Sequence, residues 1–230
     1  MIHELYEELK SSNFLVDIDS RKIRKGSIFF GIKGDNFNGN DFVFDAIRKG
    51  SRLAITDKEN PNFNNDPRII KVSDALSTLQ ELSKFHRKSS SAKVIGITGS
   101  NGKTTTKELI YSVLSTKFKT ICTLGNYNNH IGLPLSLFEI RNDTEFAIIE
   151  MGANNFGEIA FLTSICEPDY GYITNFGKAH LEGFINIDGV IKAKTELYDW
   201  IVKNDKTILI NGDDKNCLLY TSPSPRDETK

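Results

Sequence analysis

The chain has 230 residues, 39% of them hydrophobic, and sets 29 basic against 30 acidic side chains for a formal net charge of -1. That length suits one mid-sized domain with a smaller one beside it, and it suffices to bury a sizeable core. So even a charge balance argues against a nucleic-acid partner or a membrane surface, and leaves any anion site to be built locally.

Cys122, Cys166 and Cys217 are odd in number and lack both metal-ligand spacing and a C-x-x-C pair, so they read as reduced thiols. The start, "MIHELYEELKSSNF", is charged and amphipathic rather than an apolar signal core, and no apolar run approaches a membrane span. A cytoplasmic monomer is expected.

The first stretch reads as a small α/β domain. "SIFFGI" (27 to 32) and "LAIT" (53 to 56) have the composition of strands. Between them "GNDFVFDAIRKG" (39 to 50) places Phe42, Ala46 and Ile47 at helical spacing before a terminating glycine. In "DALSTLQELSKFHRK" (74 to 88) an aspartate precedes Leu76, Leu79, Leu82 and Phe85 on one helical face, and "SSSA" (89 to 92) follows as a domain joint.

From Lys93 the pattern alternates: "KVIGIT", "TTKELIYSVLSTKF", "FAIIEMG", a helix over about 155 to 165, "DYGYITN", a helix over about 188 to 202, and "KTILINGDD". Alternation of this kind predicts a mostly parallel sheet with helices on both faces, and ligands at the carboxyl ends of its strands. The tail "TSPSPRDETK" lacks periodicity and is expected to be disordered.

Residues 96 to 106, "GITGSNGKTTT", follow an apolar strand and open a helix. The strict phosphate-loop pattern would place glycine at position 97, where this chain has Ile97. The physical needs are met all the same. Gly99, Ser100, Asn101 and Gly102 let backbone N–H groups turn inward onto a helix N-terminus, Lys103 can reach phosphate oxygens, and Thr104 and Thr105 follow with hydroxyls. The alternative is a glycine-rich turn without a ligand.

Glu150 ends the apolar run from Phe146 to Ile149, where a carboxylate could hold a metal ion or simply be a solvated strand end. His180, in "NFGKAHLEGF", follows another strand end at the same sheet edge, although a lone histidine is more often structural. Lys192 and Lys194 lie on a predicted helix, and pattern alone singles out neither. The asparagines of "GNYNNHIGLP" (125 to 134) suit turns, or a polar clamp on a substrate.

Taken in order, "GITGSNGKTTTKELI", "GNYNNHIGLP", "IIEMGANNFGEI" and "ITNFGKAHLEGF…AKTEL" closely resemble the Mur ligases of peptidoglycan synthesis. The resemblance covers about residues 1 to 215, and "DSRKIRKGSIFFGIKGDNFNGNDFVFDAIRKG" (19 to 50) is similar to the family's UDP-substrate domain. It implies a UDP-MurNAc-peptide-binding domain over 1–88, a partial P-loop-type ATP-binding domain over 93–215 and an unrelated tail over 216–230. Members of the family are longer, so their C-terminal ligase domain is expected to be absent.

The implied activity is an ATP- and Mg2+-dependent amide ligase. The peptide carboxylate becomes an acyl phosphate, and an amine then displaces phosphate. The "SNGKTTTKE" and "NFGKAHLEGF" forms favour the member whose substrates are UDP-MurNAc-tripeptide and D-Ala-D-Ala. By resemblance Lys103 is the phosphate-loop lysine and Thr104 the magnesium-binding hydroxyl. Glu150 and His180 match the metal-binding carboxylate and imidazole, and Lys194 a lysine carbamylated by carbon dioxide. Asn128 and Asn129 match the loop near nucleotide and muramoyl substrate, and Ser20 and Arg21 touch the uridine nucleotide. Another Mur-type or folylpolyglutamate-synthase-like ligase, or a non-catalytic nucleotide-binding fragment, are the alternatives.

Overall fold

The structure, a computed structural model, describes residues 1–34, 37–177, 184 and 186–212, with only the backbone at residue 64. His180 and the tail 216–230 lie outside the described residues. The chain divides into two compact units, Met1–Ser89 with Leu137–Glu139, and Ser90–Ser136 with the residues from Ile140 onward.

The first unit opens with α1 (Ile2–Ser11), which buries Leu5, Tyr6 and Leu9 on one face. The strands β1 (Val16–Asp17), β2 (Ile28–Phe30), β3 (Leu53–Thr56) and β4 (Ile69–Lys71) pair in that order, all parallel. The helical stretch after β2 is split. A 3-10 turn over Gly39–Phe42 leads into α2 (Val43–Arg48), which buries Val43, Ala46 and Ile47 against Phe29 and Ala54 of the sheet. Asn38 causes the split by accepting the Asn40 N–H at 3.1 Å, so its side chain caps a tight first turn.

Helix α3 (Ala75–Ser89) starts where expected, with Asp74 accepting the Ser77 N–H at 2.5 Å. Its buried face is rotated from the predicted one. Ala75, Leu79, Leu82 and His86 are covered, while Leu76 and Phe85 are only half-buried. His86, on the covered face, shares a 3.1 Å hydrogen bond with the Tyr6 hydroxyl of α1, a partner invisible to periodicity.

The second unit carries β5 (Lys93–Thr98), α4 (Lys103–Leu114), β6 (Thr120–Cys122), all but the last residue of α5 (Gly132–Leu137), β7 (Phe146–Glu150), α6 (Glu158–Cys166), β8 (Tyr170–Ile173), α7 (Ile187–Lys203) and β9 (Thr207–Leu209). The sheet order is β6-β7-β5-β8-β9, and every pairing among the described strands is parallel. β5 and β7 are continuous buried apolar runs, as strands covered on both faces must be. Ile95, Ile97 and Ile148 pack with Ile110, Tyr111 and Leu114 of α4. Across the sheet, α7 buries Val190, Ala193, Leu197, Tyr198 and Ile201, and the Tyr198 hydroxyl donates to the Leu209 carbonyl at 2.9 Å.

The order has a consequence for ligands. β5 is followed by α4 and a strand on one side, while β7, its neighbour, is followed by α6 and a strand on the other. Connections that leave adjacent strands in opposite directions open a crevice at their carboxyl ends, where α/β sheets of this kind bind ligands.

Candidate functional site

The crevice is formed by the Gly99–Thr104 loop after β5 and by Glu150 at the end of β7. Register sets their meeting, because Ile97 pairs with Glu150 and the loop begins two residues beyond. Gly99 has φ +143, and a Cβ there would stand 2.0 Å from the Thr174 hydroxyl, so the backbone passes the end of β8 at a distance only glycine permits. Gly102 caps α4 in the left-handed region at φ +74.

Neighbouring strand ends fix the loop from outside. The Ser100 N–H donates to the Asn175 carbonyl at 3.1 Å and the Asn101 N–H to Asn175 Oδ1 at 3.1 Å, while the Thr174 hydroxyl donates to the Asn101 carbonyl at 2.6 Å. The Ser100 hydroxyl reaches the Gly177 carbonyl at 3.0 Å. Lys103 Nζ donates to the Gly99 carbonyl at 2.8 Å. Burial lowers the Lys103 ammonium from its usual range, partly offset by the Glu150 charge.

Glu150 is 2% exposed, and both of its carboxylate oxygens are engaged. Oε2 accepts from the Thr104 hydroxyl at 3.0 Å, Oε1 from Asn128 Nδ2 at 2.8 Å, and its backbone N–H donates to Thr123 Oγ1 at 3.0 Å. A hydroxyl and a carboxylate on adjacent strand connections are hard oxygen donors, the kind magnesium takes while keeping water and phosphate oxygens as its other ligands. Among the described residues no group of three or more His, Cys, Asp or Glu forms a metal cluster. A cation held by these two oxygens would draw its remaining ligands from water and phosphate.

Lys194 is the buried lysine of α7, at 2% exposure, while Lys192 is exposed. Its Nζ lies 3.3 Å from the Ala153 carbonyl, in the segment after β7, and 5.5 Å from the centre of the Phe184 ring. Burial first, then the Lys103 charge, bring its ammonium down to about 8, against the opposing pull of Glu158 and Glu196. Glu196 is occupied with the start of α6, accepting the Gly157 and Ala160 N–H groups at 2.7 and 2.9 Å.

Of the residues singled out by sequence, the structure gathers Gly99 to Thr104, Asn128 and Glu150 by direct bonds, with Lys194 coupled to Lys103 through charge. Thr105 is exposed on the first turn of α4. Asn129 has a structural task, its Oδ1 accepting the Ile131 and Gly132 N–H groups at 3.1 and 2.8 Å at the start of α5. His180 lies outside the described residues. Ser20 and Arg21 belong to the first unit, where Ser20 is buried and Arg21 pairs with Asp19 at 2.8 Å. Those hydrogen bonds hold the Asp19 carboxyl down to about 2. Sequence reasoning missed Thr123, Thr174, Asn175 and Glu196; polar residues closing the strand runs "TIC" and "GYI" were the available signal.

A parallel sheet with a glycine loop, lysine and hydroxyl at one strand end and a buried carboxylate at the next is the architecture of phosphate-loop α/β proteins. The family model described as "Mur ligase middle domain" matches residues 97–226, and "Mur ligase family, catalytic domain" matches residues 15–87. The chain belongs to the Mur ligase family.

It is 39% identical over 199 residues to the UDP-N-acetylmuramoyl-tripeptide–D-alanyl-D-alanine ligase of Bacillus subtilis (strain 168), covering 86% of this chain and 43% of that relative. Among solved structures it is similar to MurF from Acinetobacter baumannii, with TM-score 0.81 and 31% identity over 94% of this chain and 50% of that one. It is also similar to MurF ligase from Thermotoga maritima in complex with ADP, with TM-score 0.78 and 34% identity over 87% of this chain and 46% of that one. The chain thus spans less than half the length of the Bacillus subtilis relative.

Proposed function

We propose that this chain supplies the substrate-nucleotide and ATP-handling parts of a ligase of peptidoglycan synthesis that joins D-Ala-D-Ala to UDP-MurNAc-tripeptide. The observation that carries it is the 3.0 Å bond from Thr104 to Glu150 beside a loop lysine. In this reading residues 1–88 hold the UDP-MurNAc-peptide, with Ser20 and Arg21 at its uridine end, and residues 93–215 hold ATP. The loop N–H groups from Gly99 to Thr105 and the Lys103 ammonium take the triphosphate, with Lys103 exchanging the Gly99 carbonyl for phosphate oxygens.

Thr104 and Glu150 would hold Mg2+, joined by His180, and Asn128 keeps the Glu150 carboxylate turned toward Thr104. Bound magnesium supplies positive charge that offsets the charge building on the transferred phosphoryl group. An ammonium lowered to about 8 leaves Lys194 partly neutral in mild alkali, which suits reaction of its amine with carbon dioxide to a carbamate able to hold a second ion. Asn129 shapes the loop that approaches the muramoyl substrate. The reaction passes the γ-phosphoryl group to the peptide carboxylate and then exchanges phosphate for the D-Ala-D-Ala amine.

No described helix is long and apolar enough to cross a membrane, and a cytoplasmic monomer without nucleic acid suits these substrates. The test is phosphate release from ATP by this chain, and by a chain extended to its relatives' length. Release that needs both UDP-MurNAc-tripeptide and D-Ala-D-Ala is expected from the extended chain. Release that ignores D-Ala-D-Ala overturns the proposed amine substrate, and ATP binding without release by either chain leaves a binding module.

A further inference from the structure

One face of α4 carries lysines a single turn apart. Lys103 bonds the loop, and Lys107, four residues on, has a side chain only 1% exposed. Its Nζ donates to the Thr123 carbonyl at 2.5 Å and lies 3.1 Å from Glu108 Oε1. Thr123, itself fully buried, is the first residue past β6; its N–H donates to the Ile148 carbonyl at 2.9 Å and its Oγ1 accepts the Glu150 N–H at 3.0 Å. A continuous chain of bonds therefore runs from the Lys107 ammonium through one residue to the backbone of Glu150.

Withdrawing an ammonium from water costs several kcal/mol, on the order of the buried-ion penalty. The neighbouring sheet-facing positions of α4, Ile110 and Leu114, are apolar, and a methionine at 107 would fill the same volume without that penalty. The cation is explained by what it fixes.

We propose that Lys107 is a positioning residue, which holds the end of β6 against α4 and thereby sets the Glu150 carboxylate opposite the Thr104 hydroxyl for a metal-bound nucleotide. This rests on the nucleotide-site reading given above. It makes Lys107 specific to the metal-dependent part of binding, because the loop that takes the phosphates is fixed separately by Thr174 and Asn175.

The experiment is calorimetric titration of this chain with ADP, once with Mg2+ and once with EDTA. Lys107→Met is expected to weaken binding in Mg2+ by roughly tenfold, the size seen when groups behind a metal ligand are removed, and to leave the EDTA value unchanged. Lys107→Arg should restore most of the loss. Thr123→Val, which keeps the carbonyl but deletes the hydroxyl, should repeat it.

A Lys107→Met chain that retains the wild-type gain from Mg2+, or loses affinity equally with EDTA, overturns the proposal. If that variant does not fold, Thr123→Val decides, and retention of the Mg2+ gain there overturns it as well. A wild-type chain that binds no ADP, or gains nothing from Mg2+, overturns the site reading and this inference together.

Discussion

The Thr104 hydroxyl and the Glu150 carboxylate, 46 residues apart in sequence, meet at 3.0 Å where the connections of β5 and β7 diverge. The bond joins the two halves of the crevice. It also holds two oxygens side by side, the preorganisation that the proposed cation site requires.

Thr104→Val keeps the shape and deletes the hydroxyl. In the proposed site the hydroxyl contacts the bound cation, and losing one contact to a charged group costs about 2 kcal/mol, roughly thirtyfold in Kd. Titration with ADP in Mg2+ should register that loss, and titration in EDTA should show much less.

Lys103→Ala separates binding from folding. The side chain is half-buried and bonds the loop carbonyls of Gly99 and Ser100, so thermal unfolding without ligand should shift by no more than a few degrees, about 1 kcal/mol. The gain with saturating Mg-ATP should vanish in the variant. At a hundredfold excess over Kd that gain is about 2.7 kcal/mol in the wild type, and a variant that keeps it refutes the role of Lys103.

Lys194 makes stability depend on pH in a calculable direction. Burial lowers its ammonium from 10.5 to about 8, so between those values the unfolded chain retains a proton that the folded chain has released. Stability contributed at this site therefore rises from pH 8 to pH 10.5, by roughly 3 kcal/mol in total. Urea unfolding in carbon dioxide-free buffer should show that rise in the wild type relative to Lys194→Met. The variant should be the more stable of the two below pH 8.

Gly99→Ala is expected to be severe. The φ of +143 strains any side chain, and the added Cβ would overlap the Thr174 hydroxyl at 2.0 Å. Backbone strain and overpacking together should cost roughly 2 to 4 kcal/mol. Adding Thr174→Ala should recover part of that loss in chemical denaturation, since it removes the overlapping atom and leaves the dihedral.

In the second unit β5, β7, α4, α6 and α7 were legible because each is a continuous apolar run or a helix of two turns or more. β1, β4 and β6, of two or three residues each, and α5, whose stretch reads as an asparagine-rich loop, were not. The loop was legible from its glycines and lysine set between an apolar strand and a helix, since a tight turn of this kind has local requirements, although Ile97 departs from the strict spacing. Ser20 and Arg21 had no such local signature, and their role rests on resemblance.

The sequence by itself determined the α/β class, a glycine-rich loop with its lysine between a strand and a helix, and the presence of a carboxylate at the end of a buried strand. Only the tertiary structure decided that Lys194 rather than Lys192 faces inward, that Asn128 holds Glu150 while Asn129 caps a helix, and that Lys107 is buried behind the site. The reason lies in register. A strand covered on both faces has no alternation to fix its alignment, and the pairing of Ile97 with Glu150 comes from how complete helices pack across the sheet, which no local stretch of residues contains.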